Sequence, residues 1–194
     1  MFLVTKPSAD RIQRFIESQR DLPFSYAEVG ATRGNVPNGY TVDHNRLRLG
    51  DGLATLSRAV AALSQWGQFD LGWVQIVPAG TPLAVGEVVV VRTKHFGFWS
   101  LNACRVIYLV DEQTPVRKFG FGYGTLPGHA ESGEERFTIE WHESDNSVWY
   151  EILAFSRPGN VLVKLGLPLA RMLQQRFVRD SKKRMLEWVG PGGN

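Results

Sequence analysis

The apolar residues of this chain recur at helical spacing in three places. A first helix is predicted from Ser8, its N-cap, to about Gln19, because the apolar residues between them repeat at steps of three and four. A second helix is predicted to begin after Asp51 and to end at Gly67, a residue type common just past helix ends. The core-facing stripes of these two helices are Ile12, Phe15 and Ile16, and Leu53, Leu56, Val60 and Leu63.

The third helical pattern is the longest and lies near the C-terminus, from Gly159 or Asn160 to Trp188. Pro168 lies inside it and predicts a kink or a restart, because proline removes one helical hydrogen bond and clashes with the preceding turn. The predicted apolar stripe consists of Leu162, Leu165, Leu169, Met172, Leu173, Phe177 and Val178.

The remaining hydrophobic segments have the character of strands, separated by short turns rich in Gly, Pro, Asp and Asn. Two early strands are predicted at residues 24–29 and 40–49. Consecutive strands joined by short turns pair in antiparallel fashion, because parallel neighbours need long crossovers. Six further strands are predicted at residues 71–77, 87–95, 100–110, 117–125, 134–142 and 148–156.

The order of these elements predicts an α+β fold. From residue 40 onward it resembles the helix-grip fold of the Bet v 1 or START-like superfamily, which implies a curved antiparallel sheet of about seven strands wrapped around a long C-terminal helix. The N-terminal helix is an addition to that arrangement. We expect one domain, 1–194, with an N-terminal extension at 1–39, the helix-grip-like core at 40–189 and a tail at 190–194.

Several local motifs also resemble a known family. The most distinctive is Gly-Thr-Leu-Pro-Gly-His at residues 124–129, followed by Gly-Glu-Glu at 133–135. On these motifs the chain resembles the domain-of-unknown-function 1990 family, also called uncharacterised protein family 0548, over nearly its whole length. The resemblance supports the domain boundaries and implies no catalytic residues. Further matching motifs lie at residues 39–43, 83–87, 131–137 and 179–181.

Composition excludes several classes of protein. The single cysteine, Cys104, rules out an intrachain disulfide framework, and we expect it to be a buried structural thiol. The four histidines have no metal-binding spacing, so neither a metal nor another cofactor is expected. The longest apolar runs are about five residues, whereas a membrane span needs roughly 20. Without a recognisable secretory signal at the N-terminus, a cytoplasmic protein is expected.

The net charge of +3 is only mildly basic, so a nucleic acid is not the expected partner. Its distribution is uneven, however. Residues 131–145 carry six acidic side chains and one basic, whereas residues 164–184 carry seven basic and one acidic. These segments are either two solvated faces or, for the basic one, a surface for an anionic partner.

Glycine alternates with aromatic residues at positions 119–124. This pattern favours a structural explanation, in which one sheet face is stripped of side chains so that another segment can approach closely. The turn at 126–129 is either a solvated surface turn or the rim of a cavity, with His129 at the entrance and Glu131, Glu134 and Glu135 close by.

Charged residues on mostly apolar strand faces are costly unless they are paired. Arg105 is therefore either half of a buried ion pair or a clamp for a ligand carboxylate. Further candidate ligand-binding residues on or near the strands are His44, Arg46, Trp99 and Tyr123.

These observations lead to three hypotheses. The leading one is a non-catalytic monomer or homodimer that binds a small hydrophobic or amphipathic ligand between the sheet and the last helix. The second is an enzyme that uses the same cavity, with His129 or His44 as general acid or base and a carboxylate near Glu134 as its partner. The third is an interaction module that binds an anionic partner through the basic helix at 171–184.

Overall fold

The computed structural model describes residues 1–159 and 167–190. Within these ranges, three α-helices, α1 to α3, cover Ala9–Gln19, Gly52–Ser64 and Leu167–Val189. The eight strands, β1 to β8 in chain order, are Phe2–Leu3, Thr41–Asp51, Val74–Val77, Val88–His95, Phe98–Glu112, Arg117–Thr125, Glu131–His142 and Ser147–Pro158.

Seven of the strands form one antiparallel sheet in the order β2–β8–β7–β6–β5–β4–β3, and the short β1 pairs with β5. Helix α2 and a 3-10 turn at Gly67–Phe69 separate β2 from β3, and α3 follows β8. Both α2 and α3 pack on the same face of the sheet. This is the predicted helix-grip arrangement, so the predicted fold class is confirmed.

The face of the sheet that packs against α2 and α3, called the inner face here, carries the main hydrophobic core. Phe137 and Tyr150 are among its largest fully buried side chains. Helix α2 contacts the sheet through Ala59 and Ala62, whose small side chains allow a close approach. Leu53, predicted to belong to the core, is instead 57% exposed, because the buried stripe of α2 runs through these alanines.

The opposite, outer face is covered by α1 and the irregular segment that follows it. Ile12, Phe15 and Ile16 of α1 are buried against this face, as their spacing predicts. The predicted strand at residues 24–29 is wrong, since this segment lies across the sheet without a strand conformation. Strand β6 already has two neighbours, β5 and β7, so the segment finds no free edge there.

The described part of α3 begins at Leu167, so the predicted kink or restart at Pro168 lies at the edge of the described residues. The predicted start at Asn160 and the stripe residues Leu162 and Leu165 lie outside the described residues. Towards the other end of α3, Met185 and Val189 are buried in the core. In residues 1–159 and 167–190, no helix has the length and apolar character that a membrane crossing requires.

Candidate functional site

A pocket of about 480 Å³ lies between the inner face of the sheet and the first half of α3. Leu169, which was predicted to be a core residue, borders this pocket and is 41% exposed. The volume falls within the range of roughly 300–1,000 Å³ that is usual for small-molecule sites. Apolar side chains form most of its wall, and they include Phe69, Trp73, Ile152, Leu173, Phe177 and Val178.

Glu135 and Tyr123 form a hydrogen-bonded pair at the polar end of the pocket. The Tyr123 hydroxyl donates to Oε2 of Glu135 at 2.7 Å, and both residues border the pocket. Burial raises the pKa of the Glu135 carboxyl to about 7, and the nearby Glu131 and Asp43 add to the rise. Glu135 can therefore take up or release a proton near neutral pH.

Two further carboxylates lie at the same end. The Gln174 side chain of α3 donates to both carboxylate oxygens of Glu131, at 2.7 Å each. Burial raises the pKa of Glu131 as well. Asp43 on β2 accepts two hydrogen bonds from the guanidinium of Arg171, one of them at 2.6 Å. These contacts tie α3 to β7 and β2 across the pocket.

His129 also borders the pocket, and the turn that carries it is packed against α1 rather than solvated. The backbone N–H of Gly128 donates to the side-chain oxygen of Gln19 at 2.8 Å, and Leu126 is fully buried. The Glu131 amide directs its hydrogen at Nδ1 of His129 (2.9 Å), so we assign the proton of the neutral ring to Nε2. Burial lowers the pKa of His129 to about 4, which keeps the ring neutral at pH 7.

Of the predicted site residues, Tyr123 and His129 thus come together in the pocket, whereas Glu134 does not direct its carboxylate there. Glu134 borders the pocket, but its carboxylate is directed to the outer face. There it accepts hydrogen bonds from the Tyr26 hydroxyl at 2.8 Å, the Gly30 amide at 2.6 Å, and both the amide and the hydroxyl of Thr32. Its role is to hold the N-terminal segment on the sheet.

His44 and Arg46 lie on the outer face and do not border the pocket. His44 is 3.1 Å from Glu151, and Arg46 donates to Glu140 at 2.6 Å. Glu151 also pairs with Arg136, and Glu140 also pairs with Lys118. The outer face of β2, β6, β7 and β8 therefore carries a network of ion pairs. These ion pairs account for the charges of His44 and Arg46 on the strand, so no bound ligand is needed to explain them.

Arg105 is also on the outer face, and neither alternative predicted for it is correct. Its guanidinium donates to the backbone carbonyls of Gln19, Arg20 and Leu22, at 3.3, 2.5 and 3.0 Å. These carbonyls end α1, where the last turn of a helix leaves acceptors without partners and favours positive charge. Trp99 lies on the same face, beside Arg92 and Lys94, and does not border the pocket.

The alternating glycines of β6 have the structural role that their pattern predicts. A Cβ atom at Gly122 would collide with the ring of Tyr108, and one at Gly124 would collide with Tyr26. Both tyrosines approach from the outer face, while Phe121 and Tyr123 occupy the inner face between the glycines. Cys104 is fully buried, and burial raises the pKa of its thiol.

Gln174 is a pocket residue that was not predicted, whereas Glu131 and Glu135 were expected near the rim of the cavity but not as ligand-binding residues. A signal for Glu135 was present, because it precedes Phe137 and Ile139 at steps of two and so shares their face of the strand. Gln174 carried no such signal, since its contact depends on where α3 crosses the sheet.

The basic residues of α3 are partly neutralised by acidic neighbours. Arg171 pairs with Asp43, and Arg184 pairs with Asp70 at 2.6 Å. Arg179 lies 2.9 Å from the adjacent Asp180. Across the described ranges, no group of three His, Cys, Asp or Glu side chains is placed to hold a metal ion.

Comparison with known proteins gives the chain a family. The family described as a domain of unknown function, DUF1990, matches residues 25–184. A UPF0548 protein of Dictyostelium discoideum is 39% identical over 212 aligned residues, which cover 100% of this chain and 98% of that protein. A UPF0548 protein of Deinococcus radiodurans is 37% identical and covers 98% of this chain and 100% of its own length.

Among solved structures, the crystal structure of Ara h 8.0201 matches 77% of this chain and 99% of its own, with a TM-score of 0.47 and 10% sequence identity. The match of the DUF1990 family over residues 25–184, together with relatives that are aligned over almost the whole chain, shows that the chain belongs to the DUF1990 family, also called UPF0548.

Proposed function

We propose that this protein binds a small hydrophobic or amphipathic molecule in the pocket between the inner face of the sheet and α3. The observation that carries the proposal is the composition of the pocket. An apolar wall from β8 and α3 meets a few polar groups at one end, among them Glu135, Tyr123 and His129. Small-molecule sites commonly combine such a wall with a few convergent polar groups.

The two halves of α3 have different environments, and this difference supports the same proposal. Leu169, Leu173 and Phe177 recur every four residues and border the pocket, whereas Met185 and Val189 fill the core. An apolar wall without a packing partner loses dispersion contacts, which is destabilising. A bound apolar molecule restores those contacts, so the first half of α3 gains a partner when the pocket is filled.

Ala154 and Leu153 allow a matched test, because they are neighbours on β8 and face opposite sides of the sheet. Ala154 borders the pocket and Leu153 does not. We expect Ala154→Trp to fill the pocket and to weaken the binding of decanol, a neutral amphiphilic probe, at least about tenfold. Leu153→Trp adds the same side chain on the outer face and should leave binding unchanged. Isothermal titration calorimetry measures both, and equal effects of the two variants would argue against the pocket as the binding site.

Acid–base catalysis in the same pocket is a second candidate, and the Glu135 carboxyl is the observation that favours it. Its pKa of about 7 suits a group that both accepts and donates a proton at neutral pH. In this version Glu135 is the carboxylate near Glu134, His129 remains available, and His44 has no part. A metabolite extract incubated with the native protein and with Glu135→Gln tests it by mass spectrometry. Loss of a compound only with the native protein would support catalysis, and identical extracts would count against it.

A further inference from the structure

Among the described residues that border the pocket, the side chains that carry a full charge at neutral pH are all acidic. Three acidic side chains face it, Asp43, Glu131 and Glu135, and its described wall contains no lysine or arginine. An apolar wall next to carboxylates lowers the local dielectric, so their negative potential is weakly screened inside the pocket.

The three carboxylates differ in the groups that already pair with their negative charge. The Asp43 carboxylate is neutralised by the guanidinium of Arg171. Glu131 receives two hydrogen bonds, but from the uncharged amide of Gln174. Glu135 receives one hydrogen bond, from the Tyr123 hydroxyl, on one of its two oxygens. The pocket therefore has more negative charge than its described wall neutralises, and Glu131 and Glu135 are the carboxylates without a described cationic partner.

The second oxygen of Glu135, Oε1, has no hydrogen-bond partner in the part of the chain that the structure describes. Although Glu135 lies deep between β6 and β8, part of its side chain remains accessible, because it borders the pocket. An oxygen that is accessible inside the pocket can accept a further hydrogen bond from a molecule bound there. A cationic donor makes that bond and reduces the charge imbalance as well.

On the premise that the pocket binds a ligand, as proposed above, we propose that this ligand is a lipophilic amine whose ammonium group pairs with Glu135 and whose apolar body lies against β8 and α3. An ammonium carries three donors and a unit charge, so it can contact Glu135 and Glu131 together. A hydroxyl supplies one donor without charge. A carboxylate is repelled by the acidic residues at this end of the pocket.

Three probes with the same ten-carbon chain separate these cases: decylamine, decanol and decanoate. At pH 8 decylamine is a cation and decanoate an anion, because amines and carboxyls titrate far from this pH. On the full chain, calorimetric titration should show decylamine binding at least about tenfold more tightly than decanol, because a charge-assisted hydrogen bond is roughly twice as strong as a neutral one. Decanoate should bind most weakly.

The outcomes distinguish the two proposals. Equal affinities of decylamine and decanol, or tighter binding of decanoate, overturn the amine proposal and leave the binding function standing. Binding of none of the three probes overturns both. Ala154→Trp is the control that shows whether decylamine binds in the pocket. In this variant, most of the heat of decylamine binding should be lost.

Glu135→Gln tests the residue itself, because the amide keeps the size of the side chain and an oxygen for the Tyr123 hydroxyl. It should lower the affinity for decylamine at least about tenfold and so remove the preference for decylamine over decanol. Glu143→Gln makes the same change at an exposed position outside the pocket and should have no effect. A decylamine preference that survives Glu135→Gln contradicts the assignment of the site.

Proton release gives an independent readout. At pH 6 most of the free Glu135 is protonated, and pairing with an ammonium expels that proton. Titrations in buffers of different ionisation enthalpy should show close to one proton released per decylamine at pH 6 and almost none at pH 9. Release should be absent with decanol, and its absence with decylamine contradicts the ion pair. The charged or titratable groups around Glu135 are Glu131, Asp43, Cys104, Tyr123, Tyr150 and, on α3, Arg171.

Discussion

Glu134 and Glu135 are adjacent on β7, yet the two carboxylates lie in opposite environments. Glu134 points to the outer face and accepts four hydrogen bonds from the N-terminal segment, through Tyr26, Gly30 and Thr32. Glu135 points to the inner face and accepts one, from Tyr123. Identical side chains thus serve two purposes, because strand alternation sends them to faces with different coverings.

The two faces of the sheet differ in the same way. On the outer face, Glu140 and Glu151 are each bound by arginine, and Glu134 is enclosed by backbone and hydroxyl donors. On the inner face, carboxylates lie beside a pocket with fewer donors than they could use. A polar group that is fully paired stabilises the fold, whereas one left partly unpaired beside a pocket is available for a ligand.

The largest expected effect is the loss of the Glu134 anchor. The four hydrogen bonds to the Glu134 carboxylate are partly offset by the cost of burying its charge, so we expect Glu134→Ala to lower the free energy of unfolding by about 4 kcal/mol. Glu135→Ala should cost about 1 kcal/mol or less at pH 8, where the buried charge is itself unfavourable. Urea unfolding measures both. A larger loss in Glu135→Ala than in Glu134→Ala would reverse the proposed roles of the two residues.

The second effect is a dependence of stability on pH with two opposing parts. Burial raises the pKa of Glu135 from 4.5 to about 7, so its contribution to stability falls as the pH rises through that window. Burial lowers the pKa of His129 from 6.5 to about 4, so its contribution falls as the pH drops through that window. The two trends oppose each other where the windows overlap.

The Glu135→Gln variant separates the contribution of Glu135 to stability from that of His129. Relative to the native protein, its free energy of unfolding should increase by about 3 kcal/mol between pH 4 and pH 8, because one pKa unit corresponds to about 1.36 kcal/mol. Urea unfolding at a series of pH values measures the difference. The Glu143→Gln variant should run parallel to the native protein. A constant offset for Glu135→Gln would mean that the carboxyl is not desolvated on the inner face.

The smallest effect concerns Arg105, which caps the C-terminal end of α1. Arg105→Gln should lower the free energy of unfolding by about 1 kcal/mol, since the contacts are partly exposed hydrogen bonds to backbone carbonyls. Decanol affinity should not change, because the residue lies on the outer face. Weaker decanol binding without a loss of stability would restore Arg105 as a candidate ligand clamp.

Much of the fold could be predicted from local patterns. The spacing of Ile12, Phe15 and Ile16 predicts α1 and its buried face, and the glycines of β6 predict the close approach of other segments. The strand at residues 24–29 could not be excluded in this way. Its hydrophobic pattern is compatible with a strand, but the segment crosses the sheet at β6, whose two edges are already paired with β5 and β7.

The candidate site was harder to predict, because it depends on which side chains meet across the sheet. His129 and Tyr123 could be singled out from their turn and strand. Arg105 was singled out for a sound reason, the cost of a charge on an apolar face, but its partners are carbonyls about 85 positions away in the chain.

The sequence by itself determined the periodicity of most helices and strands, and with it their order along the chain. These are local properties, since backbone geometry fixes the period of each element. The tertiary structure alone decided which face received a complete set of donors and which kept a pocket. That outcome depends on where the N-terminal segment and α3 cross the sheet, and these long-range contacts have no counterpart in local spacing.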